Sequence, residues 1–496
     1  MNEPEDILMA QPMNWIVFLS DNHAHSALGC NSNTRIHTPA LDSIARRGTI
    51  FENAYCASPL CCPSRAAIAT GRFPHQSGYS DNTIAYDGKT PSWMRRARDA
   101  GHEVVSVGKL HYRSGDDDNG FSRELLPMHI LNGRGGTSTL LRALDDEHPN
   151  DGQWDLYHAD IGVGGTSYQQ FDRDITRRAI EWLRHERPQN DKPWVLFVSY
   201  VSTHPPFKVA QHLLDLYDQD DMPVPACHKT SDRNAHPAAE HVRHIMKTKA
   251  LDDPANLQRI AQHYYGLVTH LDTQIGEILA EVAALDIDGT RMMYTSDHGE
   301  MLGTQGQLGK FSMYEGSLRV PMIVSGPGIP EGARVKAPVS AVDIYPTLLD
   351  GLGLEMISAD SDCRGASLFQ DLDEDRSVFA EYHAAASRSG SFVIRRGAHK
   401  LIYHVGMAPE LYDVVADPDE ARDLSSCSDH AGIMRALTAE LFAICNPEEV
   451  DARIKQRQRD EIEALGGVDA ILADGFLVFS PTPGKSPNIR ADTQTS

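Results

Sequence analysis

Apolar and polar positions along the chain form two alternating patterns. Short apolar runs of strand length lie at residues 15–20, 103–108, 194–202, 291–296 and 320–326. Longer segments with helical spacing lie between them, most clearly at residues 168–186 and 257–285. Continuous apolar runs are typical of strands buried on both faces, and strands that alternate with helices favour a parallel sheet. The pattern therefore predicts an α/β fold with a large, mostly parallel sheet sandwiched by helices.

The pattern changes after residue 375. Residues 391–404 predict a hairpin that turns at Arg396-Gly397, residues 410–424 predict a strand and a turn, and two helices follow. The chain from about Ser480 is rich in proline, glycine and serine. We therefore predict a larger α/β domain over residues 1–375. A smaller α+β domain with an antiparallel sheet and a tail is predicted over residues 376–496.

Composition narrows the classes of partner. A formal net charge of −23 disfavours nucleic acid and anionic membranes. No apolar run approaches the roughly 20 residues of a membrane-spanning helix. The acidic start of the chain lacks the basic residues of a secretory signal, and the eight cysteines are scattered rather than spaced as a disulfide framework. We therefore expect a cytoplasmic protein with no nucleic-acid or membrane partner.

Polar side chains follow four of the predicted strands. Parallel strands present their carboxyl ends at one edge of a sheet, which is where open sheets bind ligands. Polar residues after a single strand are common, but four such sets at one edge predict a shared active site and hence an enzyme. The residues are, in chain order, Asp21, Asn22, Lys109, His111, His204, Asp297 and His298.

Some of these side chains have the chemistry of metal ligands. Asp21, Asn22 and Asp297 offer oxygen atoms, and His298 adds a nitrogen. Oxygen-rich sites select Mg²⁺, Ca²⁺ or Mn²⁺, and an imidazole shifts the preference from Ca²⁺ toward Mn²⁺. We therefore predict one divalent metal ion at this edge of the sheet.

Two adjacent cysteines stand at the start of a predicted helix, and several roles are open to them. Zinc held by Cys56, Cys61 and Cys62 is one, although this spacing matches no ordinary zinc pattern. Buried structural thiols are another. A third is a nucleophile paired with His111 or His204.

The sequence around the two cysteines resembles a known signature. Residues 61–65, Cys-Cys-Pro-Ser-Arg, with Thr-Gly-Arg at residues 70–72, are similar to the Cys-x-Pro-Ser-Arg signature of type I sulfatases. The chain thereby resembles the formylglycine-dependent sulfatases of the alkaline phosphatase superfamily. Further blocks resemble the same family in the same order: SDNHAHSALGC, Lys109-x-His111, TSDHGEMLGTQGQLGKFSMYEGSLRVPMIVSGPG, VSAVDIYPTLLDGLG and ELYDVVADPDE.

The resemblance implies that residues 1–375 are a catalytic domain and that a cysteine is modified. The signature cysteine, here Cys61, corresponds to the one that a formylglycine-generating enzyme oxidises to 3-oxoalanine (formylglycine), and Ser64 and Arg65 belong to the sequence that this enzyme reads. A hydrated aldehyde carries two hydroxyls. One attacks sulfur with the help of the metal ion, and the second releases the sulfate by collapse to the aldehyde. Cys62 occupies the variable position of the signature.

The resemblance also implies roles for individual residues. Arg65 and Lys109 would orient and stabilise the nucleophile, and His111 would be the base that triggers release of sulfate. His204 and Lys310 would bind sulfate oxygens and protonate the leaving alcohol. Taken by its local sequence alone, Lys310 in its glycine-rich loop is expected to be solvated. The implied metal ligands are Asp21, Asn22, modified Cys61, Asp297 and His298.

Two positions depart from the commonest family pattern. Many sulfatases have Asp-Asp and Asp-Asn where this chain has Asp-Asn at residues 21–22 and Asp-His at residues 297–298. The second pair resembles choline-sulfatase-like enzymes and phosphonate monoester hydrolases, and Asn82 matches a substrate-binding amide of that group. Residues 109–111 match the sulfatase pattern instead, from which phosphonate monoester hydrolases depart.

We therefore predict hydrolysis of a small aryl or alkyl sulfate ester with one Ca²⁺ or Mn²⁺ ion. The acidic balance disfavours a long sulfated polysaccharide. The alternative is a phosphonate monoester or phosphodiester hydrolase with the same nucleophile, and a more remote one is a non-catalytic relative that binds a metal or an anion. We also expect a homo-oligomer, either a dimer or a tetramer.

Overall fold

One large sheet forms the centre of the protein in the computed structural model, which describes residues 11–142, 160–229, 231 and 235–490. Its strands are β1 (Asn14–Ser20), β2 (Gly48–Phe51), β3 (Val104–Lys109), β4 (Arg123–Met128), β5 (Val195–Ser199), β6 (Thr290–Ser296), β7 (Met322–Ser325) and β8 (Ala333–Val335). Their order is β8-β2-β7-β6-β1-β5-β3-β4. Within this sheet only β7 runs antiparallel to its neighbours. The predicted large, mostly parallel sheet is confirmed.

Helices cover both faces of this sheet. Trp15, Val17 and Leu19 of β1 belong to one hydrophobic cluster, and Ile16 and Phe18 belong to a second. Successive strand residues point to opposite faces, so both faces of β1 are buried. The described helices of six residues or more are Pro39–Arg46, Cys61–Thr70, Trp93–Asp99, Ser167–His185, Pro237–Ile245, Pro254–Ala284, Ile344–Gly351, Ala431–Ile444, Pro447–Ala464 and Val468–Ala473.

A membrane-spanning helix is not found among the described residues. Even the longest helix, Pro254–Ala284, lacks an apolar stretch sufficient to cross a bilayer. The first ten residues, on which the expectation about a secretory signal partly rests, lie outside the described residues.

A separate antiparallel sheet follows the large one. Its strands, in spatial order, are β9 (Ser377–Tyr382), β10 (Ser391–Arg396), β11 (His399–His404) and β12 (Glu410–Asp413). The predicted hairpin joins β10 to β11, and Gly397 in its turn has φ of +57°, a conformation that glycine adopts at little cost. The tail forms another hairpin, β13 (Phe476–Phe479) with β14 (Asn488–Arg490). A domain boundary at residue 376 stays a prediction, and residues 491–496 lie outside the described residues.

A buried carboxylate shapes the chain that follows β5. Asp172, in helix Ser167–His185, accepts hydrogen bonds from the Val201 N–H (2.8 Å), the Ser202 N–H (3.0 Å) and the Ser202 hydroxyl (2.5 Å). Burial raises the pKa of Asp172 to about 6. Because Val201 and Ser202 closely precede His204, the helix positions the loop that carries this histidine.

The Asp172→Ala variant should lower the free energy of unfolding by about 3 kcal/mol, because it leaves three buried donors without their acceptor. The matched control is Asp174→Ala on the same helix, which removes an exposed ion pair with Arg177 and should change stability by no more than about 0.5 kcal/mol. Urea denaturation followed by circular dichroism measures both. Equal stability of the two variants would contradict the role of Asp172.

Candidate active site

The carboxyl ends of four neighbouring strands meet at one place. Strands β6, β1, β5 and β3 are consecutive in the sheet. Asp297 follows β6, Asp21 follows β1 and Lys109 ends β3. All three side chains are buried. The tertiary structure thus brings together polar residues that are far apart in sequence.

The helix Cys61–Thr70 directs its first turn at these strand ends. Its N-cap residue, Leu60, has no side chain that can accept a hydrogen bond. Asn82 supplies the missing acceptor, because its Oδ1 accepts a hydrogen bond from the Cys62 N–H at 3.1 Å. Cys61 therefore lies at the positive end of the helix dipole, next to Asn82.

Arg65 connects this helix to the ends of four strands, β6, β1, β3 and β5. Its Nε donates to Asp297 Oδ2 at 2.7 Å and its Nη2 to Asp21 Oδ2 at 3.2 Å. Its Nη1 donates to the Lys109 carbonyl at 2.6 Å and to the Ser199 hydroxyl at 2.9 Å. Burial would lower the pKa of Arg65, but Asp297 and Asp21 outweigh it and raise the pKa above its usual value. Arg65 is therefore a permanent cation in the site.

Cys61 lies where the cations and the metal-ligand candidates meet. Its Sγ is 2.9 Å from Lys310 Nζ, 3.4 Å from His298 Nε2 and 3.8 Å from Asp21 Oδ1. Lys310 Nζ is also 3.0 Å from His298 Nε2. Lys310 is only 2% exposed, so the expectation of a solvated lysine is wrong. The glycine-rich loop folds inward and places its lysine against Cys61.

The side chains around Cys61 fit a divalent metal ion. Ligand atoms of Asp21, Cys61, Asp297 and His298 lie within 4.8 Å of one another. Asn22 Oδ1 is buried and has no hydrogen-bond partner among the described residues. A free amide oxygen, two carboxylates and one imidazole are the donor set that Ca²⁺ or Mn²⁺ accepts.

The thiols of the other two cysteines of the zinc hypothesis contact backbone carbonyls, although Cys62 lines the same cavity as Cys61. Cys56 Sγ contacts the Ser317 carbonyl at 3.8 Å, and Cys62 Sγ contacts the Asn82 carbonyl at 3.7 Å. Burial raises the pKa of both thiols well above the usual value. Among the described residues, neither cysteine belongs to a cluster of metal ligands. The three-cysteine zinc site is therefore wrong, and Cys62 behaves as a buried thiol.

The charges of the site favour an anion. The two carboxylates nearest Cys61, Asp21 and Asp297, are surrounded by the buried cations Arg65, Lys109 and Lys310. Lys109 Nζ is 2.7 Å from Asp21 Oδ2. Burial alone would raise the pKa of Asp21, but Lys109 and Lys310 outweigh it and hold this pKa well below its usual value. Burial and the neighbouring Asp21 raise the pKa of Asp297 to about 6. A bound metal ion adds positive charge, so an anionic substrate group is attracted to this point.

Two histidines line the same cavity as neutral imidazoles. Burial and then Lys109 lower the pKa of His111 well below its usual value, and burial and then Lys310 do the same for His204. Both ring nitrogens of His111 are buried without a hydrogen-bond partner among the described residues. His204 Nδ1 donates to the Pro205 carbonyl at 2.8 Å. Neutral imidazoles at these positions can accept a proton.

The structure brings the predicted catalytic and substrate-binding residues to one cavity. This cavity is lined by Cys61, Asn82, Lys109, His111, His204 and Lys310.

Sequence reasoning missed other residues of this site. Glu300 accepts a hydrogen bond from Asn22 Nδ2 at 2.7 Å, and its place just after β6 is a signal that could have revealed it. Tyr168, Leu477 and Phe479 also line the cavity, but no local pattern marks them.

Comparison with known proteins identifies the family. The family model described as sulfatase matches residues 13–354, and the model of the N-sulphoglucosamine sulphohydrolase C-terminal region matches residues 303–446. Choline-sulfatase of Rhizobium meliloti (strain 1021) is 30% identical over 414 residues, which cover 79% of this chain and 78% of that protein. Arylsulfatase K of Homo sapiens is 27% identical over 457 residues, which cover 86% of this chain and 81% of that protein.

A solved structure shares the fold. The phosphonate monoester hydrolase of Agrobacterium radiobacter superposes with a TM-score of 0.70 at 23% identity, covering 87% of this chain and 95% of that one. Similarity at this level of identity concerns the fold alone. The sulfatase family model, by contrast, spans well over half of the chain. The chain therefore belongs to the sulfatase family, as a type I sulfatase of the alkaline phosphatase superfamily, and it is a sulfuric ester hydrolase.

Proposed function

We propose that this enzyme hydrolyses a small aryl or alkyl sulfate ester to the alcohol and sulfate, with Cys61 converted to formylglycine as the nucleophile. The observation that carries the proposal is the position of Cys61 Sγ, within 3.8 Å of Lys310, His298 and Asp21 at the start of a helix. Hydrated formylglycine and a divalent ion, Ca²⁺ or Mn²⁺, would supply a metal-activated hydroxyl for attack on sulfur and a second hydroxyl for release of sulfate. A formylglycine-generating enzyme is the partner that this proposal requires.

The residues that surround Cys61 divide the work. Arg65 and Lys109 stabilise negative charge at position 61, since both cations are buried and Lys109 Nζ lies 2.7 Å from Asp21. His111 is neutral, and neither of its ring nitrogens has a hydrogen-bond partner in the described part of the chain, so it is the base that accepts a proton from position 61. The residues that would hold the ion are Asp21, Asn22, Asp297 and His298, with modified Cys61.

Three side chains bind the substrate in this proposal. Lys310 binds a sulfate oxygen and donates the proton that the leaving alcohol needs. His204 is neutral in the free enzyme, and an anionic ester beside it raises its pKa and converts it to a second donor. Asn82 has its Oδ1 occupied by the Cys62 N–H, so its Nδ2 is the part of the amide that contacts sulfate.

Phosphonate monoester or phosphodiester hydrolysis is the second candidate. It is favoured by His298, which stands beside Cys61 where many sulfatases have an asparagine, within a pair that resembles phosphonate monoester hydrolases. The same cations would bind a phosphoryl group, because its oxygens have a similar arrangement to those of sulfate.

The cytoplasmic location and the homo-oligomeric state stay predictions.

Cys61→Ala should abolish turnover. Cys62→Ala should be nearly silent, because the Cys62 side chain packs against Ala85 and Ile130 and burial raises its pKa, which keeps it a thiol. Cys61→Ser should be inactive in turnover or stall as a covalent sulfate ester. Peptide mass spectrometry of enzyme co-expressed with a formylglycine-generating enzyme should find the modification at position 61. Full activity of an enzyme whose Cys61 is unmodified would refute the mechanism.

His298→Ala should lower affinity for the divalent ion at least tenfold, because it removes one ligand of a buried site, about 1.4 kcal/mol. His298→Asn is the matched variant and should keep the ion, with its preference moved from Mn²⁺ toward Ca²⁺ because an oxygen replaces the nitrogen. Elemental analysis of dialysed protein and calorimetric titration with each ion measure this. Equal ion content in the wild type and His298→Ala would exclude His298 as a ligand.

A panel of four substrates separates the two candidate functions. The highest kcat/KM should be found on a small sulfate monoester, with measurable side activity on a phosphate diester and a phosphonate monoester. Parallel kinetics on an aryl sulfate, choline sulfate and these two phosphoryl esters would measure the ratio. If a phosphoryl ester exceeds every sulfate tenfold, about 1.4 kcal/mol in transition-state stabilisation, the second candidate replaces the first.

A further inference from the structure

The hairpin that contains β13 forms one wall of the active-site cavity. Leu477, Phe479 and Ser480 line the cavity that Cys61 and His204 also line. The ring of Phe479 lies 5.5 Å from the His204 imidazole at 86° to its plane. A residue close to the end of the chain therefore contacts a proposed sulfate-binding residue edge to face.

This wall is anchored to the rest of the enzyme. The Tyr168 hydroxyl donates to the Ser480 carbonyl at 2.6 Å, and the Tyr168 ring lies 5.9 Å from the His204 ring at 81°. Phe476, at the start of β13, is 2% exposed. A Cβ added at Gly136 would lie 3.2 Å from Leu477 Cβ, so Leu477 packs directly over this glycine. The wall therefore has a defined position relative to the sulfate-binding residues.

The cavity lining has two kinds of surface. The polar part contains Lys109, Lys310 and the two neutral histidines next to Cys61. The rest of the lining combines apolar and aromatic side chains with Cys62, Asn82, Thr139 and Ser480, and no carboxylate lines the cavity among the described residues. The apolar and aromatic members are Leu60, Ile130, Tyr168, Phe311, Ala385, Leu477 and Phe479.

This lining distinguishes between kinds of alcohol. A quaternary ammonium group is attracted by aromatic rings such as Phe479. No carboxylate among the described residues lines the cavity to balance its charge, however, and the two lysines that line the cavity repel it. A sugar would place hydroxyls against Leu477 and Phe479, where they lose hydrogen bonds to water without replacement. An aryl or branched alkyl group buries apolar surface against the same side chains at no such cost.

We propose that the wall formed by Leu477 and Phe479 selects sulfate esters whose alcohol is neutral and apolar over esters of cationic or polyhydroxylated alcohols. The inference rests on the proposed sulfate-ester hydrolysis and adds the determinant of its substrate class. Phe479 itself makes none of the proposed sulfate contacts, which belong to Lys310, His204 and Asn82, and its ring packs against the His204 imidazole.

The test uses two esters of nearly identical shape, choline sulfate and 3,3-dimethylbutyl sulfate, which differ by a positively charged nitrogen in place of a carbon. The wild-type enzyme, modified at Cys61, should hydrolyse the neutral ester with at least tenfold higher kcat/KM. Phe479→Ala should lower kcat/KM for the neutral ester at least tenfold. Its inhibition constant for inorganic sulfate should change less than twofold, because the sulfate contacts remain.

Two further variants complete the test. Phe479→Glu places a carboxylate at the wall and should raise the ratio of choline sulfate to neutral-ester kcat/KM at least tenfold. Ile489→Ala is the matched control, since this residue lies in β14 of the same hairpin and is 49% exposed, and it should leave both constants within twofold of the wild type. Melting temperatures establish that the variants are folded.

The failures of the two proposals are distinguishable. Hydrolysis of neither ester by the modified wild type overturns the sulfate-ester reaction, and the present inference with it. Hydrolysis of both esters with choline sulfate preferred overturns the inference alone. The inference alone is also overturned if Phe479→Ala lowers kcat/KM for the neutral ester no more than Ile489→Ala does.

Discussion

A single buried guanidinium connects the parts of this active site. Arg65 lies on the helix that begins at Cys61, and it bonds to Asp297 after β6, to Asp21 after β1 and to the backbone at Lys109. Removing one partner of a buried ion pair leaves an uncompensated charge, at a cost of about 3–5 kcal/mol. Arg65 and its two carboxylates, together with the Ser64 hydroxyl that donates to the Asp297 carbonyl, therefore hold Cys61 in position relative to the sheet.

The same cluster links metal binding to anion binding. Asp21 is a candidate ligand for the ion, and it also lies 2.7 Å from Lys109 and 3.2 Å from Arg65. Lys109 and Lys310 keep the carboxylate ionised, and the carboxylate pairs with Lys109 and Arg65. Binding of the ion and recognition of a negatively charged ester are thus properties of one charge network, and a change at either end affects the other.

The reacting groups and the residues proposed to select the alcohol lie in different parts of the chain. The charged half of the cavity is built from the ends of parallel strands and the start of one helix, which is the common place for a site in such a sheet. The apolar half includes the final hairpin, where Leu477 and Phe479 lie. Since a fold does not determine the substrate, variation in this hairpin can change the alcohol that is accepted without change to the reacting groups.

By itself, the sequence determined the fold class and the major elements, and it predicted that the candidate site lies at the carboxyl ends of the parallel strands. The helices predicted at residues 168–186 and 257–285 are found at Ser167–His185 and Pro254–Ala284. They were predictable because the buried face of a helix repeats every three to four residues and that of a strand every two, so the spacing of apolar residues reveals the element. Only the tertiary structure decided that Lys310 is buried against Cys61 and that Phe479 contacts His204. Local periodicity carries no information about such contacts, since they depend on how loops and distant segments pack against one another.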